Sequence, residues 1–366
     1  MIRLPYNHVD DADRQRPLPI RIHKLPAFES EASSRMETAF TALPTAGGRL
    51  IRLRLDTDSP HLAHFFALNW PEPEPGNAAF DARIVARRRA AASYGLPREL
   101  DDARWYCHET RQVWITGSEY YGNLKITVRG LCSELAPPDE MFVHGCAMLV
   151  GGRGLVLSGT SGVGKTTLTA AIRSLQSGAV RIVNDDWGPL SLATLDVRYT
   201  GEPRLHMKYP SVRALTPSLW PTPNSHPSEN FHGDPGDPRA RLMIAREEVF
   251  GPDGIADRGQ LALFVVVARD EDEPASLYEL NPDDVDLVEH GRYSSFYART
   301  ECFLNGSLFL TLPEQRLAQR TLHRRLLGTV RCVRVNNGGP PAHTVALILG
   351  ALRGVPARRT LRCGPR

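Results

Sequence analysis

Short runs of hydrophobic residues dominate the chain, and their spacing predicts strands more often than helices. In Leu50–Leu55 apolar residues alternate with arginines, which is typical of a strand with one buried face. Residues 78–94 have a helical composition, so we expect a helix there. The stretch 71–76, rich in proline, predicts a linker or turn. The arginines of the predicted helix indicate a solvated face in preference to a binding patch: Arg83, Arg87, Arg88 and Arg89.

Aromatic and β-branched residues then cluster three times, around Trp105, Trp114 and Ile126. Polar or glycine-containing turns separate the clusters, so this pattern predicts a β-meander. Two longer apolar runs follow at Met141–Val150 and Leu155–Gly159, with only four residues between them. Because so short a connection requires antiparallel strands, the sequence predicts a hairpin.

The remaining sequence combines regular elements with one irregular stretch. Helices are predicted at 166–175, 313–327 and 344–352, and buried strands at 180–183 and 261–268. Four prolines and two glycines interrupt residues 221–237, which indicates either a mobile lid or an inert surface loop.

These elements predict an α/β protein with α+β character and two folded parts. A chain of 366 residues is long enough for about two domains of ordinary size. We assign residues 1–138 to a smaller N-terminal α+β lobe of unknown role and residues 139–352 to the larger domain. Residues 353–366 form a basic tail.

Composition excludes two classes of partner. The 44 basic residues nearly balance 41 acidic ones, so no global field favours nucleic acid or a membrane surface. The N-terminus lacks the order of a signal peptide, and no apolar run approaches the roughly 18 residues that a membrane span needs. Six cysteines without zinc-type spacing indicate reduced thiols. We therefore expect a soluble cytoplasmic protein.

The octapeptide Gly159–Thr166 matches the phosphate-binding pattern G-x-x-x-x-G-K-[ST] and lies between a predicted strand and a predicted helix. Its glycines let backbone N–H groups point inward, and the helix N-terminus adds partial positive charge. Lys165 is expected to contact the β and γ phosphates, and the Thr166 hydroxyl to ligate Mg²⁺. A glycine turn without a ligand is the alternative. The predicted nucleotide-binding residues are Gly159, Thr160, Ser161, Gly162, Val163, Gly164, Lys165, Thr166 and Thr167.

Two carboxylates and a histidine are the other candidates for chemistry. Asp185 and Asp186 follow the predicted strand 180–183, where a parallel or mixed sheet would place them beside the loop. One carboxylate can then hold a metal ion while the other accepts a proton, whereas an isolated pair would more often cap a helix or a turn. His144 stands between apolar neighbours, a pattern that by itself favours a core residue.

Together, His144-Gly145, the short hairpin, the segment 157–166 and Asp185-Asp186 resemble the catalytic domain of HPr kinase/phosphorylase. That domain is similar in turn to the nucleotide-binding core of phosphoenolpyruvate carboxykinase. The resemblance covers about residues 140–350 and is specific over 140–190. It implies a mixed-sheet P-loop domain of this type and the cofactors ATP and Mg²⁺.

The resemblance also implies a reaction and roles. It points to a kinase that transfers the γ-phosphoryl group to a hydroxyl of a peptide, a protein or a small molecule. Asp185, in preference to Asp186, becomes the base for that hydroxyl; Asp186 joins Thr166 as a Mg²⁺ ligand, and His144 and Lys165 belong to the active site. Family members often form rings, which suggests a homo-oligomer. Lys208 and Arg241 lie in stretches that offer cations for the phosphoryl group or the acceptor.

Two other functions stay open because the chain departs from HPr kinase. Its longer substrate-loop signature is absent, and residues before 140 do not resemble its N-terminal domain. A carboxykinase-like enzyme would need a dense basic patch for a carboxylate and a second metal centre, which the sequence does not display. A nucleotide-binding regulatory protein with slow or no hydrolysis is the third reading. The sequence does not decide between adenine and guanine, or whether the reaction reverses with phosphate.

Overall fold

Three sheets with helices packed on their faces make up the described part of the protein, which is a mixed α/β structure as expected. The structure is a computed structural model. It describes residues 20–22, 36–70, 79–96, 98, 101, 104–107, 109–119, 121–159, 162–176, 178–208, 231–232, 241–270, 273–285 and 313–356.

The first sheet occupies the N-terminal part of the chain. Its elements are β1 (Ile20–Ile22), β2 (Glu37–Pro44), β3 (Leu50–Thr57), α1 (Pro60–Asn69), β4 (Ala82–Arg87), β5 (Arg104–Cys107), β6 (Gln112–Thr116) and α2 (Tyr121–Leu135). The strands follow the spatial order β1-β5-β6-β4-β3-β2, and β3, β4 and β6 run parallel. The predicted strand in β3 is confirmed, because Ile51, Leu53 and Leu55 are all buried in the core.

The predicted helix at 78–94 is wrong, since its centre is β4. Ile84 and Val85 belong to different core clusters, so both faces of this strand are covered. Pairing with a parallel strand on each side, together with burial of both faces, overrides the helical composition. The arginines are therefore not one helix face: Arg83 pairs with Asp56, and the buried Arg87 lies over the Tyr94 ring.

The predicted meander is correct for two of its three strands. Trp105 in β5 and Trp114 in β6 are directly opposite each other in an antiparallel pair. Ile126, however, lies in α2. The apolar residues of this segment recur at the spacing of a helix. The β-branched residues around Ile126 obscured that spacing. The buried apolar residues of α2 are Leu124, Val128, Leu131, Cys132 and Leu135.

From Glu140 onward the predicted hairpin, helices and strands are all confirmed. The elements in chain order are β7 (Glu140–Val150), β8 (Arg153–Ser158), α3 (Lys165–Leu175), β9 (Val180–Asn184), β10 (Trp187–Ser191), β11 (Asp196–Arg198), β12 (Arg204–Lys208), β13 (Phe231–His232), β14 (Arg241–Ala245), α4 (Arg246–Phe250), β15 (Arg258–Ala268), β16 (Ser276–Leu280), α5 (Pro313–Thr329), β17 (Cys332–Asn336) and α6 (Pro341–Leu352).

Most of these strands form a second, mixed sheet. Its spatial order is β11-β10-β7-β8-β15-β17-β16, and β9 also pairs with β7. β8, β15 and β17 are parallel, whereas β7 is antiparallel to β8. Helices α3 and α6 pack on one face through Leu168, Ile172 and Ile348, and α5 packs on the other through Leu326 and Leu327.

A third sheet has the order β12-β14-β13. Its register places Lys208 opposite Arg241, so the two candidate cations are neighbours across adjacent strands. Their side chains lie outside the described part of the structure. The same holds for the stretch 71–76, and for all of the stretch 221–237 except β13.

The two larger sheets share one hydrophobic core. Phe142 of β7 and Trp187 of β10 pack among the buried side chains of α1, α2 and the first sheet. The Glu140 carboxylate accepts hydrogen bonds from the backbone N–H groups of Ala46 and Gly47, at 2.6 and 2.8 Å. The boundary predicted near residue 138 falls between α2 and β7, at a place where the two parts are in close contact.

The four described cysteines, Cys107, Cys132, Cys146 and Cys332, are buried free thiols. None of the helices in the described ranges is both long enough and apolar enough to cross a bilayer.

Candidate functional site

Three backbone segments meet around His144 on β7. On one side, β8 places Ser158, which precedes the glycine loop (residues 159–166), opposite Gly145. On the other side, β9 and β10 pair with successive parts of β7. Asn184 lies opposite Ala147, and Trp187 lies opposite His144. The Asp185-Asp186 turn interrupts this ribbon, and the backbone N–H of Gly145 donates to the carbonyl of Asp186 at 2.8 Å. The glycine loop and the acidic turn therefore lie on either side of His144.

The glycine loop has a backbone that requires glycine at specific positions. Gly164 has a φ of 98°, and a Cβ there would lie 2.5 Å from Nδ2 of Asn337. A Cβ on Gly159 would lie 2.4 Å from the carbonyl oxygen of Val267. Val163 anchors the loop in the core beside Leu168. The curled path is thus fixed by close contacts as well as by φ angles.

Side chains at both ends hold the loop in place. The Lys165 ammonium, on the first residue of α3, donates to the carbonyl oxygen of Gly159 at 2.7 Å. The Asn337 amide, after β17, donates to the carbonyl of Val163 at 2.9 Å. Thr166 and Thr167 lie in the first turn of α3, whereas Thr160 and Ser161 lie outside the described residues.

The Asp186 carboxylate is the centre of a charge cluster. Its Oδ2 lies 2.6 Å from Nη2 of Arg129 and 3.1 Å from Nζ of Lys125. Its Oδ1 lies 3.3 Å from Nε2 of His144. Arg129 also reaches Oε2 of Glu202 at 3.4 Å, and Glu202 accepts a hydrogen bond from the Trp70 indole at 3.0 Å.

The backbone of Asp186 is strained. Its φ of 87° lies in the left-handed region, which costs a residue with a side chain roughly 1–2 kcal/mol, although aspartate tolerates it better than most. The contacts of its carbonyl and carboxylate described above offset this cost. Strained backbone that surrounding contacts hold in place is concentrated at functional sites.

The two neighbouring carboxyl groups differ in acidity. Burial alone would raise the pKa of Asp186, but Arg129 and Lys125 outweigh that effect and hold it well below its usual range. Burial, together with the charge of Asp186, raises the pKa of Asp185 to about 6. No hydrogen bond joins the Asp185 carboxyl to any described residue. Asp185 is therefore the carboxyl that can exchange a proton near neutral pH.

His144 is neutral near pH 7. Burial lowers its pKa first, and the charge of Lys165 lowers it further, and these effects exceed the opposing one of Asp186. With its side chain 20% exposed, the ring is not sealed in the core. Its contact with Asp186 makes it part of the charge cluster.

Sequence reasoning missed Lys125 and Arg129, which α2 brings to the acidic turn. The two residues are four positions apart and so lie on one face of the helix. They were missed because the segment around Ile126 was predicted to be a strand. One signal was available: the chain has only four lysines, and Lys125 is one of them.

No protein-family model matches the chain, and no curated protein has a sequence similar enough to count as a match. The residues of the site and their geometry are therefore what supports a function.

Replacing Asp185 with asparagine is expected to stabilise the protein at pH 8. The folded-state pKa of Asp185 is raised from 3.8 to about 6, so ionising this group costs stability, and the full cost is present above pH 6. The cost corresponds to at most about 3 kcal/mol and vanishes as the pH falls below the ordinary pKa. Thermal unfolding of both proteins at pH 8 and pH 4.5 measures it. An equal shift in Tm at the two pH values would contradict the raised pKa.

Proposed function

We propose that the protein is a kinase of the HPr kinase-like P-loop class, which uses ATP and Mg²⁺ to phosphorylate a hydroxyl group. The observation that carries this proposal is the placement of the glycine loop and Lys165 on one side of His144, with a turn of two unlike carboxyl groups on the other. A phosphate-binding loop beside a carboxyl group that can accept a proton suits phosphoryl transfer to a hydroxyl.

The residues of the site suit a magnesium ion. The donors are the Thr166 hydroxyl and the carboxylate of Asp186, and oxygen ligands of this kind are those that Mg²⁺ prefers. The strongly ionised state of Asp186 favours such a role. When bound, Mg²⁺ would neutralise phosphate charge. Arg129 and His144 contact Asp186 and would orient it, as outer residues do around metal ligands.

The chain's own residues then divide the work of the transfer. Backbone N–H groups of the loop and the start of α3 hold the phosphates, with Lys165 as the compact positive charge. The acceptor oxygen forms a bond to the γ phosphorus while the bond from that phosphorus to the bridging oxygen breaks, which releases ADP. Asp185 accepts the acceptor's proton. Because the transition state is loose, this proton moves late and an ordinary carboxylate is a sufficient base.

Incubation with γ-labelled ATP and Mg²⁺ tests the proposal. The protein is incubated alone, with a library of serine-containing peptides, and with small polyols, and the label is followed. Label on an acceptor, lost in Asp185→Asn, is the expected result. Label released only as phosphate, at a rate that Asp185→Asn does not alter, would favour the regulatory nucleotide-binding protein instead. Parallel reactions with GTP establish the base preference.

Replacing His144 with alanine is expected to lower turnover by about tenfold to hundredfold while nucleotide still binds, because Asp186 loses one of the groups that orient it. Glutamine at the same position retains an N–H donor for Asp186 and should recover part of the loss. Steady-state rates and nucleotide titrations of both variants check this. Full turnover in His144→Ala would return the residue to a purely structural role.

A further inference from the structure

Arg129 of α2 lies beside the acidic turn, and its guanidinium group contacts several parts of the protein. Nη2 contacts both Asp186 and Glu202, at 2.6 and 3.4 Å. The guanidinium also lies over the ring of Trp187, 5.3 Å from its centroid. Its side chain is only 13% exposed. Arg129 therefore contacts the strained residue Asp186 and the residue that follows it.

These contacts are anchored in the N-terminal part of the chain. Arg129 belongs to α2, whose apolar face packs in the core of the first sheet. Glu202 is held in turn by Trp70, which is completely buried at the end of α1. The acidic turn belongs to the second sheet, so its position depends on two helices that precede that sheet in the chain.

One face of β7 packs against α1 and α2 at one end and against α3 at the other. Phe142 packs toward α1 and α2, whereas Cys146 and Met148 pack toward α3. His144 lies between them at the alternating positions of one strand face. The gap between α2 and the start of α3 is thus where the loop, the acidic turn and Arg129 come together.

We propose that Arg129 is a positioning residue for phosphoryl transfer: it holds the Asp185-Asp186 turn in its strained conformation and so makes the N-terminal part of the chain a component of the active site. This inference rests on the proposed function and deepens it. Arginine suits the task because its planar group contacts two carboxylates and an aromatic ring at once. A lysine ammonium keeps the charge but cannot reproduce that geometry.

Arg129→Lys tests the proposal, because it retains the positive charge beside Asp186 and the buried Glu202 and so preserves folding. The matched control is Arg173→Lys on α3. Arg173 also lies over an aromatic ring, Phe250, and donates to two backbone carbonyls, but it touches neither the loop nor the acidic turn. Trp70→Phe provides a second variant, since it removes the N–H donor to Glu202 from the N-terminal side.

Three quantities are measured for each protein: ATP turnover, the dissociation constant of ATP with and without Mg²⁺, and Tm. For Arg129→Lys we expect turnover to fall by about tenfold to hundredfold, with ATP affinity in the absence of Mg²⁺ changed by less than about threefold. The gain in affinity that Mg²⁺ produces should shrink, because Asp186 is displaced. Trp70→Phe should show the same changes in weaker form, and Arg173→Lys none of them.

Each other outcome overturns a specific claim. Full turnover in Arg129→Lys would overturn the inference and leave the kinase proposal standing. Loss of turnover that merely follows a fall in Tm and in Mg²⁺-free ATP affinity would show a structural role only, and would also overturn it. Absence of ATP binding and turnover in the wild-type protein would remove the proposed function, and the inference with it.

Discussion

Lys165→Met is expected to weaken ATP binding by about hundredfold and to abolish turnover. The side chain is the one compact positive charge on the glycine loop, and charge-assisted hydrogen bonds to phosphate of the kind it would make contribute about 1.5–3 kcal/mol each. Isothermal titration with ATP and with AMP measures the effect. AMP affinity should change little, because AMP lacks the β and γ phosphates.

Two controls separate this charge effect from a general weakening of α3. Lys165→Arg keeps the charge on a group of different shape and should recover part of the ATP affinity. Arg173→Met alters the opposite end of the same helix and should leave ATP affinity unchanged. If Lys165→Met bound ATP as tightly as the wild-type protein, the assignment of the loop as a phosphate site would be wrong.

Asp185→Asn is expected to lower phosphoryl transfer by about 10²- to 10⁴-fold, the usual contribution of a positioned general base. Nucleotide binding should persist, because the loop and Lys165 are untouched. Asp186→Asn is the informative comparison: it removes the carboxylate that Lys125 contacts and leaves Arg129 with Glu202 alone, so it should lower Tm as well as the rate. Single-turnover reactions with labelled ATP, run alongside thermal unfolding, distinguish the two variants. Normal transfer by Asp185→Asn would exclude this carboxyl as the base.

The sequence could predict those features of the site that depend on residues close together in the chain. The glycine loop and the hairpin before it were predictable because their residue types are dictated by backbone geometry within a dozen positions. The strands that lead into the loop and into the Asp185-Asp186 turn both pair with β7, one on each side.

The rest depended on contacts between residues far apart in the chain. β4 was misread because it pairs with a strand on each side and is buried on both faces, which composition does not reveal. Arg129 could not be distinguished among the many arginines of this chain, because its partners Asp186 and Glu202 are 57 and 73 positions away. The difference in pKa between Asp185 and Asp186 likewise depends on α2 of the N-terminal part, whose Arg129 and Lys125 lower the pKa of Asp186.

The shared core described above also bears on how this protein can evolve. A segment beginning at residue 139 carries Phe142 and Trp187, two large aromatic rings that the N-terminal part keeps from water. Without the N-terminal part, that segment would expose a hydrophobic surface to the solvent and would self-associate. Gene rearrangements that shuffle a phosphate-binding module between proteins would therefore have to move both parts as a single inherited unit.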